Sequence, residues 1–273
     1  MSLICFTKLL KPWNAAQLIE FAKKEGLTGY DVTVRDGYPV TPEKVGTELV
    51  PFVRQLTQGG LKVPMITFGS RAYAVDDPLI ERAWAASAEA GVKGIKLGYW
   101  VWKKEGPHYW DQVAAIRKDL ARYAKLAEKY GVQALFHTHS GPYYGLNASS
   151  LMHCLQDVNP KHVGAYVDPC HLSLDGEPLE MAIDILRGRI AMVAVKNSYY
   201  EKQTKNGKLH WHRGVCPLHE GLVDWEQAVK LFKAAGYAGY YNLHGEYDHR
   251  EEVHEVLEVL VPDIRIMRQF LGQ

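Results

Sequence analysis

The sequence has few cysteines and no surplus of charge of either sign. Its four cysteines, Cys5, Cys154, Cys170 and Cys216, are scattered, and none belongs to a Cys-x-x-Cys pair. This pattern is typical of reduced thiols, with neither a disulfide framework nor a zinc-finger motif. The 32 lysines and arginines nearly balance the 31 acidic residues. That balance argues against a surface built to hold nucleic acid or an anionic membrane.

Long apolar runs are also missing. No segment could span a bilayer, and the apolar run near Met1 is too short for a signal peptide. We therefore predict a cytoplasmic protein. The 273 residues lie within the size range of one α/β barrel, and no linker or low-complexity segment divides them. We predict a single domain over residues 1–273.

Eight short apolar segments alternate with amphipathic helical segments along the chain. The longest helical segment, residues 109–130, places apolar residues on one stripe at helical spacing. Apolar strands separated by such helices indicate a parallel sheet, and eight units favour the α/β class with a closed (β/α)8 TIM barrel. The predicted strands are residues 3–7, 29–34, 62–68, 92–97, 132–136, 163–167, 190–195 and 240–243.

Two turns carry signals for the start of a helix. Thr41 is followed by Pro42, and Asp77 is followed by Pro78, so each pair predicts a capping side chain before a proline in the first turn. After the seventh strand the chain makes a long polar excursion before a helix that starts near Trp225.

Polar residues follow several of the predicted strands, and in such a barrel the reactive groups come from the carboxyl ends of the strands. The apolar run 163–167 ends in Asp168, and His171 follows three residues later. A carboxylate and an imidazole at one mouth can share a metal or bind a polar substrate. The residues expected around this mouth are His137, Asp168, Lys196, Asn197, His244 and Glu246.

Several of these residues have more than one reading. Asp168 is either a metal ligand or a cap for the following turn. Lys196 could stabilise an enolate or bind a phosphate; the alternative is that it simply pairs with Asp168. His171 is a further ligand or a hydrogen-bond donor to substrate. Glu246 is either a site residue or an ion-pair partner of Arg250.

Other candidates concern substrate binding. His137 and His139 are two residues apart, so on extended backbone both point to the same side; His139 is expected to contact the substrate. Arg213, in the polar excursion, is a candidate clamp for a carboxylate, phosphate or sugar hydroxyl. Trp102, among the aromatics after the fourth strand, is a candidate wall for a sugar ring. The alternative for Arg213 is a solvated loop arginine. The alternative for Trp102 is aromatic packing between loops or at a subunit contact, and the latter would indicate a homo-oligomer.

The order of motifs resembles the xylose-isomerase-like barrel superfamily of sugar (phosphate) isomerases and epimerases, which also contains endonuclease IV. The resemblance covers nearly the whole chain. Its carriers are Gly131-Val132, Val167-Asp168-Pro169-Cys170-His171, Val195-Lys196-Asn197, Pro217-Leu218-His219-Glu220-Gly221 with Asp224-Trp225, and Ala235-Gly236-Tyr237-Ala238-Gly239.

The resemblance implies a divalent metal held by Glu, Asp, His and Glu at the ends of strands five to eight. At the corresponding positions this chain has Asp168 for the Asp, His137 and His244 for the two Glu residues, and Ala194 for the His of strand seven. His137, Asp168 and His244 would form a two-histidine, one-carboxylate set suited to Mn, Zn, Co or Fe. Arg213 lies near the family's substrate arginine.

These departures shape the predicted activity. We predict a metal-assisted isomerase or epimerase that acts on a small sugar or keto-sugar through an enediolate. Glu246, His171 or Lys196 would carry the proton, with Glu246 the first choice. Because both of the family's proton-moving glutamates are replaced, a lyase or dehydratase on a 3-keto-sugar type of substrate is the close alternative. A non-catalytic sugar-binding barrel is the other. A DNA-repair nuclease is disfavoured, because the histidine set of endonuclease IV is incomplete.

Overall fold

Eight parallel strands form a closed barrel in the computed structural model, which describes residues 1–69 and 74–273. The barrel strands are β1 Ser2–Phe6, β2 Gly29–Val34, β3 Lys62–Phe68, β4 Gly94–Lys96, β5 Gln133–His137, β6 Val163–Val167, β7 Ile190–Val195 and, after two further strands, β10 Tyr240–Leu243. Their order around the barrel is β1-β10-β7-β6-β5-β4-β3-β2. The arc β2–β4 therefore faces the arc of β6, β7 and β10 across the barrel. The predicted (β/α)8 barrel is confirmed.

Helices cover the outside of the barrel. In α4 the buried residues are the apolar stripe expected from the sequence, including Val113, Ile116 and Leu120. A single turn of 3₁₀ helix, Thr7–Leu10, follows β1. The α-helices of the described residues are α1 Ala15–Glu25, α2 Val45–Gln58, α3 Pro78–Ala90, α4 Tyr109–Tyr130, α5 Ala148–Leu155, α6 Pro169–Leu174, α7 Leu179–Ile185, α8 Trp225–Ala234 and α9 Val253–Leu271.

One of the two predicted helix starts is confirmed and the other is wrong. Asp77 caps α3, since its side chain accepts a hydrogen bond from the Leu79 amide at 2.9 Å. Thr41 does not cap α2, which begins four residues later at Val45. The Thr41 amide and hydroxyl instead donate to Glu48 Oε2 at 3.0 and 3.3 Å. The helix therefore holds this loop through its own Glu48.

The predicted polar excursion is an antiparallel hairpin of β8, Asn197–Lys205, and β9, Lys208–Cys216. Its turn is Asn206-Gly207, where both residues have positive φ, 53° and 71°. Asn-Gly is the preferred pair for a two-residue turn of this kind. The signal was present in the sequence, but the strands are too polar to be recognised by an apolar pattern.

The barrel interior changes from apolar to polar just below the mouth. The lower layer includes Ile4, Met65 and Leu135. Above it lies Asp31, whose Oδ2 accepts hydrogen bonds from Thr67 Oγ1 at 2.8 Å and Asn242 Nδ2 at 2.9 Å. This network gives the mouth a polar floor, in which Asp31 Oδ1 and Asn242 Oδ1 have no hydrogen-bond partner among the described residues.

The four cysteines are buried with free thiols. Among the described residues no helix combines the length and apolar character needed to cross a membrane.

Candidate active site

A cavity of about 210 Å³ opens at the carboxyl ends of the barrel strands. It contains charged and imidazole side chains from opposite sides of the barrel. The lining residues are Phe6, Lys8, Arg35, Thr67, Lys96, Tyr99, His137, His139, Lys196, His244 and Glu246.

Asp168 lies fully buried beside this cavity, directly after β6. Its Oδ1 accepts a hydrogen bond from the His171 amide at 3.2 Å and so caps α6. Its Oδ2 faces Lys196 Nζ at 3.4 Å and His137 Nε2 at 3.5 Å. Burial opposes the ionised form, but Lys196 and His171 outweigh it and lower the pKa of Asp168. One carboxylate thus serves both as a helix cap and as a site residue.

Lys196 links the acidic groups of the site. Its ammonium lies 2.9 Å from His171 Nε2, 3.1 Å from Glu246 Oε2 and 3.4 Å from Asp168 Oδ2. Burial would lower the pKa of Lys196, but the two carboxylates raise it well above its ordinary value. Lys196 is therefore a fixed ammonium at neutral pH, able to donate a hydrogen bond but not to act as a base.

Glu246 is held between two lysines rather than by Arg250. Its Oε1 is 2.5 Å from Lys8 Nζ and its Oε2 is 3.1 Å from Lys196 Nζ, whereas Arg250 pairs with Glu258 at 3.3 Å. Against the effect of burial, Lys196 and then His244 hold the pKa of Glu246 well below its usual range. The carboxylate is ionised and a weak base while both lysines hold it.

Hydrogen bonds fix the ring of His244. Asn242 Nδ2 donates to the Tyr166 hydroxyl at 2.7 Å, and that hydroxyl lies 2.8 Å from His244 Nε2. Because Asn242 supplies a hydrogen to the Tyr166 oxygen, the hydroxyl hydrogen is free to donate to Nε2. Burial, followed by Lys196, lowers the pKa of His244 to about 4. The ring is neutral, and its Nε2 lone pair is already engaged.

The rings of His171 and His139 are in contact, with centroids 3.9 Å apart and planes inclined by 32°. Since Lys196 donates to His171 Nε2, the Nδ1–H of His171 points to Ser140 Oγ at 2.9 Å. His139 Nδ1 donates to the Ser140 carbonyl at 2.9 Å. Burial lowers the pKa of His139 to about 4, so its Nε2 is an unprotonated acceptor.

The three predicted metal ligands do not form one ligand set here. His137 Nε2 and Asp168 Oδ2 face each other, and both lack a hydrogen-bond partner among the described residues. His244, however, directs Nε2 to Tyr166, and the Lys196 ammonium contacts the same Asp168 oxygen. Residues 1–69 and 74–273 contain no group of three or more His, Cys, Asp or Glu side chains placed to hold a metal. The donor set fits an ammonium better than a divalent ion.

Two predicted substrate-binding residues lie outside the cavity. Arg213 is carried away on β9, where its guanidinium lies 5.9 Å from the centroid of the Tyr200 ring. Trp102 is 43% exposed in the loop after β4, and its amide donates to the Pro142 carbonyl. From the same loop Tyr99 reaches the cavity instead, with its hydroxyl 3.1 Å from His137 Nδ1.

Three cations of the cavity, Lys8, Arg35 and Lys96, were not predicted from the sequence. Lys96 is the last residue of β4, and Arg35 directly follows β2. Both satisfy the rule that polar residues at the carboxyl ends of barrel strands belong to the site, so the signal was available. Burial, and then the charge of Arg35, lowers the pKa of Lys96 to about 7.

Comparisons with known proteins agree with this architecture. The model of a family described as xylose isomerase-like TIM barrel matches residues 19–263. No curated protein sequence matches the chain. The solved structures that it resembles include D-psicose 3-epimerase in the presence of D-fructose, with a TM-score of 0.72, 13% identity and 100% of both chains covered.

Two further structures have the same fold. The probable 3-DHS dehydratase from Bacillus anthracis has a TM-score of 0.73 at 13% identity, covering 98% of each chain. A xylose isomerase-like TIM barrel protein from Mycobacterium smegmatis, in complex with magnesium, has a TM-score of 0.68 at 16% identity, covering 99% of this chain and 98% of that one. At such identities the likeness shows the fold alone, and the chemistry of this chain depends on its own side chains.

Proposed function

Because the chain belongs to the xylose isomerase-like TIM barrel family, we propose that it is an enzyme that removes a proton beside the carbonyl group of a small sugar-derived ketone. The product of that step is an enediolate, whose oxygen carries the new negative charge. The solved structures of this fold include a sugar epimerase and a probable dehydratase, and both reaction types pass through deprotonation next to a carbonyl.

The observation that carries the proposal is the position of the Lys196 ammonium. It is 7% exposed, and both Asp168 and Glu246 hold it charged at the cavity wall. A substrate carbonyl oxygen that accepts a hydrogen bond from Lys196 would have its developing charge stabilised in the transition state. A preorganised donor of this kind contributes about 100- to 1,000-fold to a rate.

Glu246 is the proposed proton carrier. Its Oε2 lies 3.1 Å from Lys196 Nζ, so a carbonyl oxygen bound to that ammonium has its neighbouring carbon within reach of the carboxylate. When the carbonyl oxygen takes over part of the interaction with Lys196, less positive charge acts on Glu246 and its basicity rises. His139 Nε2 is a second unprotonated acceptor in the cavity wall.

Glu246 is the only carboxylate that lines the cavity among the described residues. One base suffices for isomerisation, because the proton can return to the adjacent carbon from the same face. It also suffices for elimination of water, which makes dehydration the second candidate. Inversion at the same carbon requires a donor on the opposite face, and His139 would have to supply it.

A metal-assisted route on His137, Asp168 and His244 is the competing form of the proposal. Mn, Zn, Co or Fe would polarise the carbonyl there. The engagement of His244 by Tyr166 and of Asp168 by Lys196 argues for the ammonium instead.

Exchange of substrate hydrogens with solvent deuterium tests the function. The protein is incubated in D₂O with D-fructose, D-fructuronate and D-fructose 6-phosphate, and deuterium at C1 and C3, beside the C2 carbonyl, is measured by NMR. Mass spectrometry of the same samples detects loss of water. We expect enzyme-dependent exchange that Lys196→Met lowers by about 100- to 1,000-fold. Lys202→Met removes the same charge from an exposed position and should leave the exchange intact. If a probe binds and no hydrogen exchanges, a non-catalytic sugar-binding barrel replaces this proposal.

A further inference from the structure

The cavity has a second pair of cations, on the wall opposite Lys196. Lys96 ends β4 and Arg35 follows β2, whereas Lys196 follows β7. In the closed barrel the arc β2–β4 faces the arc of β6, β7 and β10. A molecule that fills the cavity therefore contacts a cationic group at each end.

The charges around Lys196 are balanced. Lys8 and Lys196 contribute two positive charges, and Asp168 and Glu246 contribute two negative ones. The four side chains are joined by ion pairs of 2.5, 3.1 and 3.4 Å. This side of the cavity has no uncompensated charge for a second ionic group to bind.

The charges around Lys96 and Arg35 are not balanced. Lys96 is 7% exposed, donates to the Leu97 carbonyl at 3.2 Å and lies 4.0 Å from the centroid of the Tyr99 ring. Arg35 Nε is buried without a hydrogen-bond partner among the described residues. Among the described residues, neither Lys96 nor Arg35 forms an ion pair with a carboxylate. One buried acid, Asp31, acts on both cations. Its Oδ2 accepts hydrogen bonds from Thr67 and Asn242, and its Oδ1 has no hydrogen-bond partner among the described residues. A single carboxylate therefore faces two cations.

Buried cations are costly unless an anion compensates them. We propose that Lys96 and Arg35 bind the anionic group of the substrate, a carboxylate or a phosphate, while its carbonyl faces Lys196. The proposal rests on the function proposed above and names its substrate class, acidic sugar derivatives. The cavity of about 210 Å³ limits them to small molecules, since the pockets that bind drug-sized ligands have volumes of about 300–1,000 Å³.

Three probes that differ in one substituent test the subsite. D-Fructose is neutral, D-fructuronate carries a carboxylate at C6, and D-fructose 6-phosphate carries a phosphate there. Dissociation constants are measured by calorimetry for the wild type, Lys96→Met, Arg35→Gln and the charge-retaining Arg35→Lys. Lys202→Met on the exposed hairpin controls for net charge, and thermal unfolding of each variant verifies folding.

We expect one charged probe to bind the wild type at least about tenfold more tightly than D-fructose, in line with a charge-assisted hydrogen-bonded pair. Whichever probe it is identifies the anion as carboxylate or phosphate. Lys96→Met and Arg35→Gln should each remove most of that preference, Arg35→Lys should keep part of it, and Lys202→Met should not alter it. Equal affinity for neutral and charged probes, no binding of either charged probe, or a preference that survives both neutralising variants overturns the proposal.

Binding and exchange fail independently in this design. Deuterium exchange into D-fructose without any preference for charge overturns the anion subsite and leaves the proposed function in place. Charge-selective binding without exchange supports the subsite and overturns the catalytic proposal.

Discussion

The ammonium of Lys196 lies 3.4 Å from Oδ2 of Asp168, and the two side chains come from strand ends 28 positions apart in the chain, at residues 168 and 196. Asp168 is fully buried and Lys196 is 7% exposed, so neither charge is hydrated well. The aspartate that the family resemblance assigns to a metal thus has an internal cation beside it. This relationship sets both the electrostatics of the site and its proposed chemistry.

The first prediction concerns catalysis by this lysine. Lys196→Met removes the hydrogen-bond donor to the developing oxyanion, and we expect proton exchange to fall by about 100- to 1,000-fold. Exchange is followed by NMR in D₂O at saturating probe, so that the loss is read in kcat rather than in KM. Lys202→Met is the matched control. An unchanged kcat in Lys196→Met would show that Lys196 only neutralises Asp168.

The second prediction concerns stability. Removing one partner of a buried ion pair costs about 3–5 kcal/mol because the other charge is left unpaired. We expect the unfolding free energy of Lys196→Met to fall by this amount. In the double variant that carries both Asp168→Asn and Lys196→Met, it should fall by much less than the sum of the losses in the two single variants. Urea unfolding of the four proteins measures the coupling. Additive losses would contradict a direct interaction between the two charges.

A third prediction separates the ammonium from a metal. After dialysis against a chelator, the wild type should retain its exchange activity, because Lys196 supplies the positive charge. Lys196→Met combined with Tyr166→Phe should gain affinity for Mn, Zn, Co or Fe, since these changes free Asp168 and the Nε2 of His244. Metal content is measured by elemental analysis. Activity that the chelator abolishes and one of these metals restores would favour the metal-assisted route.

The sequence predicted the barrel well because its signals are local. Eight apolar strands alternate with amphipathic helices, and each is recognised from neighbouring residues. The placement of Asp168, Lys196 and His244 at one mouth follows from the same repeat, because every parallel strand of a barrel ends on the same side. Lys96 and Arg35 obey that rule too, yet no family motif drew attention to them.

The pairing of side chains within the site was beyond the sequence. Whether His244 binds a metal or a tyrosine depends on Tyr166 and Asn242, which lie on β6 and β10 at matching heights inside the barrel. Likewise, the partner of Glu246 is Lys8, 238 positions away, rather than the nearby Arg250. Such choices depend on register and tilt around the whole barrel, which local patterns do not encode.

The fourth prediction identifies the base. Glu246→Gln keeps the size of the side chain and one acceptor oxygen but removes the carboxylate that takes the proton, so exchange should fall by about 100- to 10,000-fold. His139→Gln should change exchange by less if His139 only contacts substrate. Both are measured under single-turnover conditions with the same probe. The reverse order of effects would transfer the role of base to His139.

The fifth prediction concerns the dependence of stability on pH and uses Asp263, which lies in α9 outside the cavity. The carboxylate is buried, accepts hydrogen bonds from Tyr247 and the Leu218 amide, and has a pKa raised to about 6, chiefly by burial. The folded state binds this proton more tightly than the unfolded state, whose ordinary value is about 4. The stabilisation is therefore present in full below pH 4 and is lost as the pH rises through 6.

The size of that loss follows from linkage. A pKa difference of about two units corresponds to about 2–3 kcal/mol. We expect the unfolding free energy of the wild type, taken relative to Asp263→Asn, to fall by this amount between pH 4 and pH 7, because asparagine has the size of a protonated aspartate, retains one acceptor oxygen and does not titrate. Asp36→Asn removes the same charge from an exposed position. Relative to this control, the unfolding free energy of the wild type should not fall between pH 4 and pH 7. Urea unfolding across this range measures the difference, and parallel curves for wild type and Asp263→Asn would mean that Asp263 stays ionised in the folded protein.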